Sequence, residues 1–111
     1  MLTISGLKRF YFLPGFKDMR CKAQTISEII RSRYNRNPLN GDVYVFMSRN
    51  CKRIRLIHYE KNAYYLHEKT FVNDCTFVKL KVENDKLAYH MDWKDLVAIL
   101  ESPIVKELRL K

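Results

Sequence analysis

The feature that most constrains the fold is a run of five apolar residues, Val43-Tyr44-Val45-Phe46-Met47. It is preceded by a turn signal at Asn40-Gly41 and followed by a polar break, Ser48-Arg49-Asn50-Cys51-Lys52. Successive side chains of a strand point to opposite faces of a sheet. A segment that is apolar at every position therefore has both faces to hide, and it reads as a buried central strand.

The rest of the chain arranges itself around that strand. Lys8 to Leu13 form a short aromatic strand stopped by Pro14-Gly15. Asp18 stands where a helix N-cap belongs, and behind it Met19, Ala23, Ile26, Ile30 and Tyr34 recur at steps of four, three, four and four. That spacing predicts one apolar face of a helix, ended near Asn35-Arg36-Asn37-Pro38 because Pro38 disfavours a helical residue before it. After the polar break, Arg53 to Tyr59 resume as a strand whose first half alternates, sending Ile54 and Leu56 inward and Arg53 and Arg55 outward. Ala63 to Lys69, Thr76 to Val82 and Lys86 to Met91 read as further strands, with turn signals at Lys61-Asn62, Asn73-Asp74 and Asn84-Asp85. Asp92 opens a second helix with Asp95 three residues later, a capping-box-like arrangement. Trp93, Leu96, Val97 and Leu100 are its apolar stripe, and Ser102-Pro103 stops it. The tail from Ile104 to Lys111 fits a strand, a short helix or a frayed end. Hairpins dominate and helices do not alternate with strands, so the expectation is one α+β domain over residues 1–111, with an antiparallel or mixed sheet of about five or six strands and two packing helices.

Charge narrows the function. Twenty-one Lys and Arg stand against twelve Asp and Glu, a net +9 with pI near 9.6. Such a field attracts polyanions, of which nucleic acid is the usual one for a small folded domain. The plain alternative is that the charge keeps the protein soluble. The basic residues have a focus: Arg49, Lys52, Arg53 and Arg55 lie within seven residues at a predicted hairpin. Arginine forks match phosphates and guanine edges, and a two-stranded ribbon can enter a major groove. Ordinary solvated charges on a hairpin tip are the competing explanation.

Catalytic chemistry finds little purchase. Asp18, Asp42, Glu60, Asp74, Asp92 and Glu101 have no spacing diagnostic of the carboxylate set that holds two metal ions, and most sit at turns or caps, where Asp is expected. His58, His67 and His90 show no ligand spacing, and the three cysteines, Cys21, Cys51 and Cys75, form no CxxC. The sequence therefore points to a non-enzyme without metal or cofactor and with reduced thiols. Met1 to Gly6 lack the charged start and apolar core of a signal peptide, and no 18-residue apolar run occurs, so a cytoplasmic location and no membrane span are expected.

Several short motifs recur in a recognisable order. Asp18-Met19-Arg20 opens the first amphipathic stretch. Pro38-Leu39-Asn40-Gly41 and Tyr44-Val45-Phe46 follow. Arg49, Arg53, Ile54, Arg55, Leu56, Ile57, Tyr59 and Glu60 form an Arg-rich turn and a basic-apolar strand. Tyr64, Tyr65, Leu66 and Lys69, then Phe77, then the helix from Asp92 to Leu100 complete the set. In order and spacing this resembles the TnpB accessory proteins, encoded by the second open reading frame of the "sixty-six" type of bacterial insertion sequence, over roughly residues 5–102. The chain departs from that pattern at Tyr59, where the family usually has Trp, at Glu68-Lys69-Thr70-Phe71, where it has Tyr-Lys-Arg-Leu, and near Asn62-Ala63 and Asp74, where it has Gly. The larger RNA-guided nuclease that shares the TnpB label is a different protein. The resemblance implies an accessory role in transposition beside a separate transposase. Taken with the basic hairpin, it makes element DNA the expected partner, contacted by Arg49, Lys52, Arg53 and Arg55 with Lys69 and Arg20 in support. The alternative is a protein-interaction module that binds the transposase or forms a homodimer through Ile104, Val105, Leu108 and Leu110.

Overall fold

The computed structural model describes residues 9–72, 75–77, 79–83, 85–101 and 107–110. Its strands are β1 (Phe10–Phe12), β2 (Val43–Met47), β3 (Arg53–Glu60), β4 (Ala63–Thr70), β5 (Lys79–Val82), β6 (Tyr89–Met91) and β7 (Glu107–Leu110), and its helices are α1 (Ala23–Arg33) and α2 (Trp93–Glu101). The α+β expectation holds: five strands form one mixed sheet in the order β4-β3-β2-β1-β6, and β5 and β7 form a small parallel pair.

The apolar run is β2, central in the large sheet and buried at all five positions. Its two faces serve two different cores. Val43, Val45 and Met47 join Phe10, Phe12, Ile54, Leu56, Tyr89 and Met91, and α2 closes over them with Leu96, Ile99 and Leu100. Tyr44 and Phe46 face the other way with Ile57, under Ile26 and Ile30 of α1. Leu13, Phe16 and Met19 from the segment before α1, and Tyr34 after it, complete that second core. Phe16 stacks on Phe46 with ring centroids 4.4 Å apart. Each fully buried side chain of this size contributes about 1.5–3 kcal/mol.

Three local features differ from what periodicity predicts. First, β1 pairs in parallel with β2 and antiparallel with β6, so β1, α1 and β2 form a crossover unit and one helix does alternate with strands. The hairpin pattern holds for β2, β3 and β4, whose pairings are antiparallel. A long connection carrying a helix brings the chain back to run parallel, which a short turn cannot do. Secondly, α1 begins at Ala23, not beside Asp18, and its N-cap is Lys22 with no side-chain cap bond. The Asp18 carboxylate instead accepts the Arg20 backbone N–H at 2.8 Å, a local turn that competes with helix. Met19 and Tyr34 are buried as the apolar stripe requires, though both lie outside the helix. Ser27, at a position that faces away from the stripe, is also buried, its hydroxyl 2.6 Å from the Tyr64 phenol. Thirdly, three predicted strands are shorter: β1 covers only Phe10–Phe12, β5 begins at Lys79 and β6 at Tyr89. The second helix starts as expected, with the Asp92 carbonyl accepting the Leu96 N–H at 3.1 Å. Asp95 lies in its first turn, where a negative charge suits the helix dipole. The Asn73-Asp74 turn and the Ser102-Pro103 stop lie outside the described residues.

Phe46→Ala should lower the unfolding free energy by about 3–5 kcal/mol, since it empties the ring position under α1. Leu87→Ala, at a residue 60% exposed, should change it by less than about 0.5 kcal/mol. Urea titrations of the two variants check both values.

Candidate nucleic-acid interface

The turn between β2 and β3 is tightly built. The Ser48 N–H donates to the Arg53 carbonyl at 2.9 Å, and the Cys51 N–H donates to the Ser48 carbonyl at 3.1 Å. The Ser48 hydroxyl donates to Asn50 Oδ1 at 2.8 Å and accepts the Arg53 N–H at 3.1 Å, while the Lys52 N–H donates to Asn50 Oδ1 at 3.1 Å. Cys51 takes a left-handed backbone with φ of 58°. These bonds fix the turn and leave Arg49 exposed at its tip.

The strand that follows divides its residues between the two faces of the sheet. Register sets Arg55 beside Phe46 and Glu68, and Ile54 beside Met47 and Lys69. Arg53 and Arg55 therefore share the α1 side with Glu68, and Lys69 lies on the α2 side. Arg55 faces away from Ile54 and Leu56, as alternation predicts, but the segment leading into α1 covers it. Its side chain is only 11% exposed. Its Nη1 donates to the Cys21 carbonyl at 2.7 Å, and its Nε lies 3.1 Å from Glu68 Oε1. Arg53 Nη2 donates to the same carboxylate oxygen at 3.0 Å and remains 39% exposed. Lys69 reaches across the other face, where its Nζ donates to the Leu100 carbonyl at 2.6 Å, a favourable place for a cation at a helix C-terminus.

The structure brings Arg20 and Arg49 together although they lie far apart in sequence. They line a polar recess of about 490 Å³ with Lys17, Asp18 and Arg33, over Gly15, Phe16, Met19 and Ile29. Lys17 and Arg33 carry no signal of their own in the sequence. Their place depends on α1 crossing back over the sheet. The Arg20 backbone N–H, reinforced by its guanidinium, holds the Asp18 carboxyl below the usual carboxylate range. Burial, aided by the Asp18 carboxylate, pushes the Cys21 thiol up, the opposite of what a nucleophile needs.

The opposite face has a more apolar recess of about 530 Å³ between β4 and α2, lined by Leu56, His67, Lys69, Trp93, Val97 and Leu100 among others. The His58 ring stacks on Tyr65 at 5.0 Å and on His67 at 6.0 Å. Burial lowers the His67 pKa. No group of three His, Cys, Asp or Glu side chains suited to a metal ion occurs among the described residues. Of the tail positions singled out as an interface, Leu110 is buried in the α2-side core, and the Leu108 backbone pairs with Leu80. Ile104 and Val105 lie outside the described residues. No helix among the described residues is long and apolar enough to cross a membrane.

A family model described as IS66 Orf2 like protein matches residues 8–109, nearly the whole chain. No curated protein and no solved structure matches.

Arg55→Ala should cost about 2 kcal/mol of stability, because it strips a charged donor from the Cys21 carbonyl and unbalances Glu68. Arg53→Ala should cost less than about 1 kcal/mol, as expected of a partly exposed pair. Thermal melts of the two variants compare them. The folded state favours neutral His67, so its contribution is full above the ordinary histidine value near 6.5 and is lost as pH falls below it. Between about pH 7.5 and 5.5, His67→Gln should therefore lose less melting temperature than the unmodified protein.

Proposed function

The chain belongs to the IS66 Orf2-like family, and from that premise we propose that it is a non-catalytic DNA-binding factor acting beside the transposase of the same element. The family makes it an insertion-sequence accessory protein. The DNA reading goes further, and the observation that carries it is the rigid basic turn. Arg49 stands exposed on a turn pinned by the Ser48 and Asn50 bonds, with the partly exposed Lys52 and Arg53 beside it, on a chain with net charge +9. A turn whose backbone is already ordered loses less entropy on meeting phosphate than a mobile loop would. Arg20 supports them from the segment before α1. Arg55 and Lys69 act from behind, the first holding that segment to β3 and the second bracing α2.

Carboxylate placement supports a role without bond chemistry. Asp18 is engaged by Arg20, Glu68 by Arg53, and Asp42 by Arg9 at 3.1 Å and Asn40 at 3.1 Å. These carboxylates lie with cationic or amide donors rather than with one another, so they do not resemble a two-metal clamp. The transposase link follows from the setting, since an accessory protein of a mobile element shares its DNA with the enzyme that moves it.

A titration against labelled duplex DNA at several salt concentrations tests the reading. Binding should be present at low salt and weaken steeply, with a log–log slope of about −0.9 for each phosphate contacted. Absence of binding at low salt overturns the DNA reading. Co-purification with the transposase in that case would favour the interaction-module alternative.

A further inference from the structure

We propose that the recess formed by the segment before α1, the C-terminal half of α1 and the β2–β3 turn is a notch for a backbone phosphodiester of DNA, held by Lys17, Arg20, Arg33 and Arg49. The inference rests on the DNA-binding reading and locates it away from the β3 strand itself.

Charge accounting selects this place. Arg53 and Arg55 share the Glu68 carboxylate, and Lys69 is spent on the Leu100 carbonyl across the sheet. The recess, by contrast, gathers four cationic side chains around one carboxylate, Asp18. That carboxylate already accepts the Arg20 N–H at 2.8 Å and lies 3.4 Å from Arg20 Nε. Lys17, Arg33 and Arg49 form no ion pair among the described residues. Three positive charges are thus left in excess around one concavity, and an anion there would meet donors from three separate elements at once.

The shape suits a phosphodiester better than a flat salt patch would. Phe16, Met19 and Ile29 form its floor, low-dielectric matter that keeps the field of the cations directed outward over the recess. The floor is anchored: Phe16 lies stacked on Phe46, and Arg55 ties the Cys21 carbonyl to β3. The notch is therefore preformed, and binding need not order it. Arginine forks on two sides can each give parallel hydrogen bonds to one phosphate.

Three variants measured by fluorescence anisotropy with labelled duplex DNA, between about 50 and 200 mM salt, test the notch. Arg33→Ala/Arg49→Ala should lower affinity about tenfold or more near 100 mM salt and reduce the magnitude of the salt slope by about two. Lys61→Ala/Lys94→Ala removes equal charge from exposed sites elsewhere and should change affinity less than about threefold. Arg33→Lys/Arg49→Lys should restore most of the slope but not all the affinity, because a point charge replaces a fork. Thermal melts should match across the set, since Arg33 and Arg49 are exposed. If the protein binds DNA and the two alanine pairs behave alike, the notch is wrong while the DNA-binding reading stands. If the unmodified protein does not bind at low salt, both fall together.

Discussion

With Val43, Val45 and Met47 packed toward α2 and Tyr44 and Phe46 packed toward α1, β2 forces a helix onto each face of one sheet. A strand apolar on a single face would need only one covering layer. The need for two layers shapes the connections. One helix follows β6 and covers the first core. The other must enter between β1 and β2, and that insertion makes the β1–β2 pair parallel. The fold is thus a consequence of where apolar surface has to be hidden, with hairpins joining β2, β3 and β4.

The same insertion creates the basic concavity. Carrying α1 over the sheet brings its preceding segment above the start of β3, and Arg55 fastens the two by donating to the Cys21 carbonyl. Lys17 and Arg20 then stand near Arg33 at the end of α1 and Arg49 on the β2–β3 turn. Arg55, the arginine of this face with the least exposure, has a structural task, and the exposed ones around it are those proposed to meet DNA. This division of labour follows from solvent access: a guanidinium with 11% exposure must be paired where it sits, whereas exposed ones can exchange water for phosphate at little cost.

Much of this was legible in the sequence, because the signals were local. The double apolar character of residues 43–47, the inward Ile54 and Leu56 and the buried Leu96 and Leu100 of α2 all depend on neighbours in the chain, although the expected stripe took in Val97, which is exposed, and missed the buried Ile99. The parallel pairing of β1 was not legible, since no short-range pattern tells a strand which partner lies beside it. Asp18 looked like a helix cap because the apolar spacing begins at Met19, yet the Asp18 side chain closes a local turn on the Arg20 N–H and the helix starts only at Ala23. Alternation assigned Arg55 to the face opposite Ile54 correctly, but it could not show that Glu68 and Cys21 would occupy that face too. Lys17 and Arg33 escaped notice for the same reason: their meeting with Arg49 is a product of tertiary topology.

The central claim is that a preformed basic face beside α1, and not the face beside α2, meets DNA. Amide chemical-shift mapping of isotope-labelled protein titrated with duplex DNA tests it most directly. The account predicts shifts concentrated at residues 15–20, 29–33 and 48–53, with β4 and α2 left unperturbed. Shifts confined to the recess between β4 and α2, or none at any ratio of DNA to protein at low salt, would contradict it.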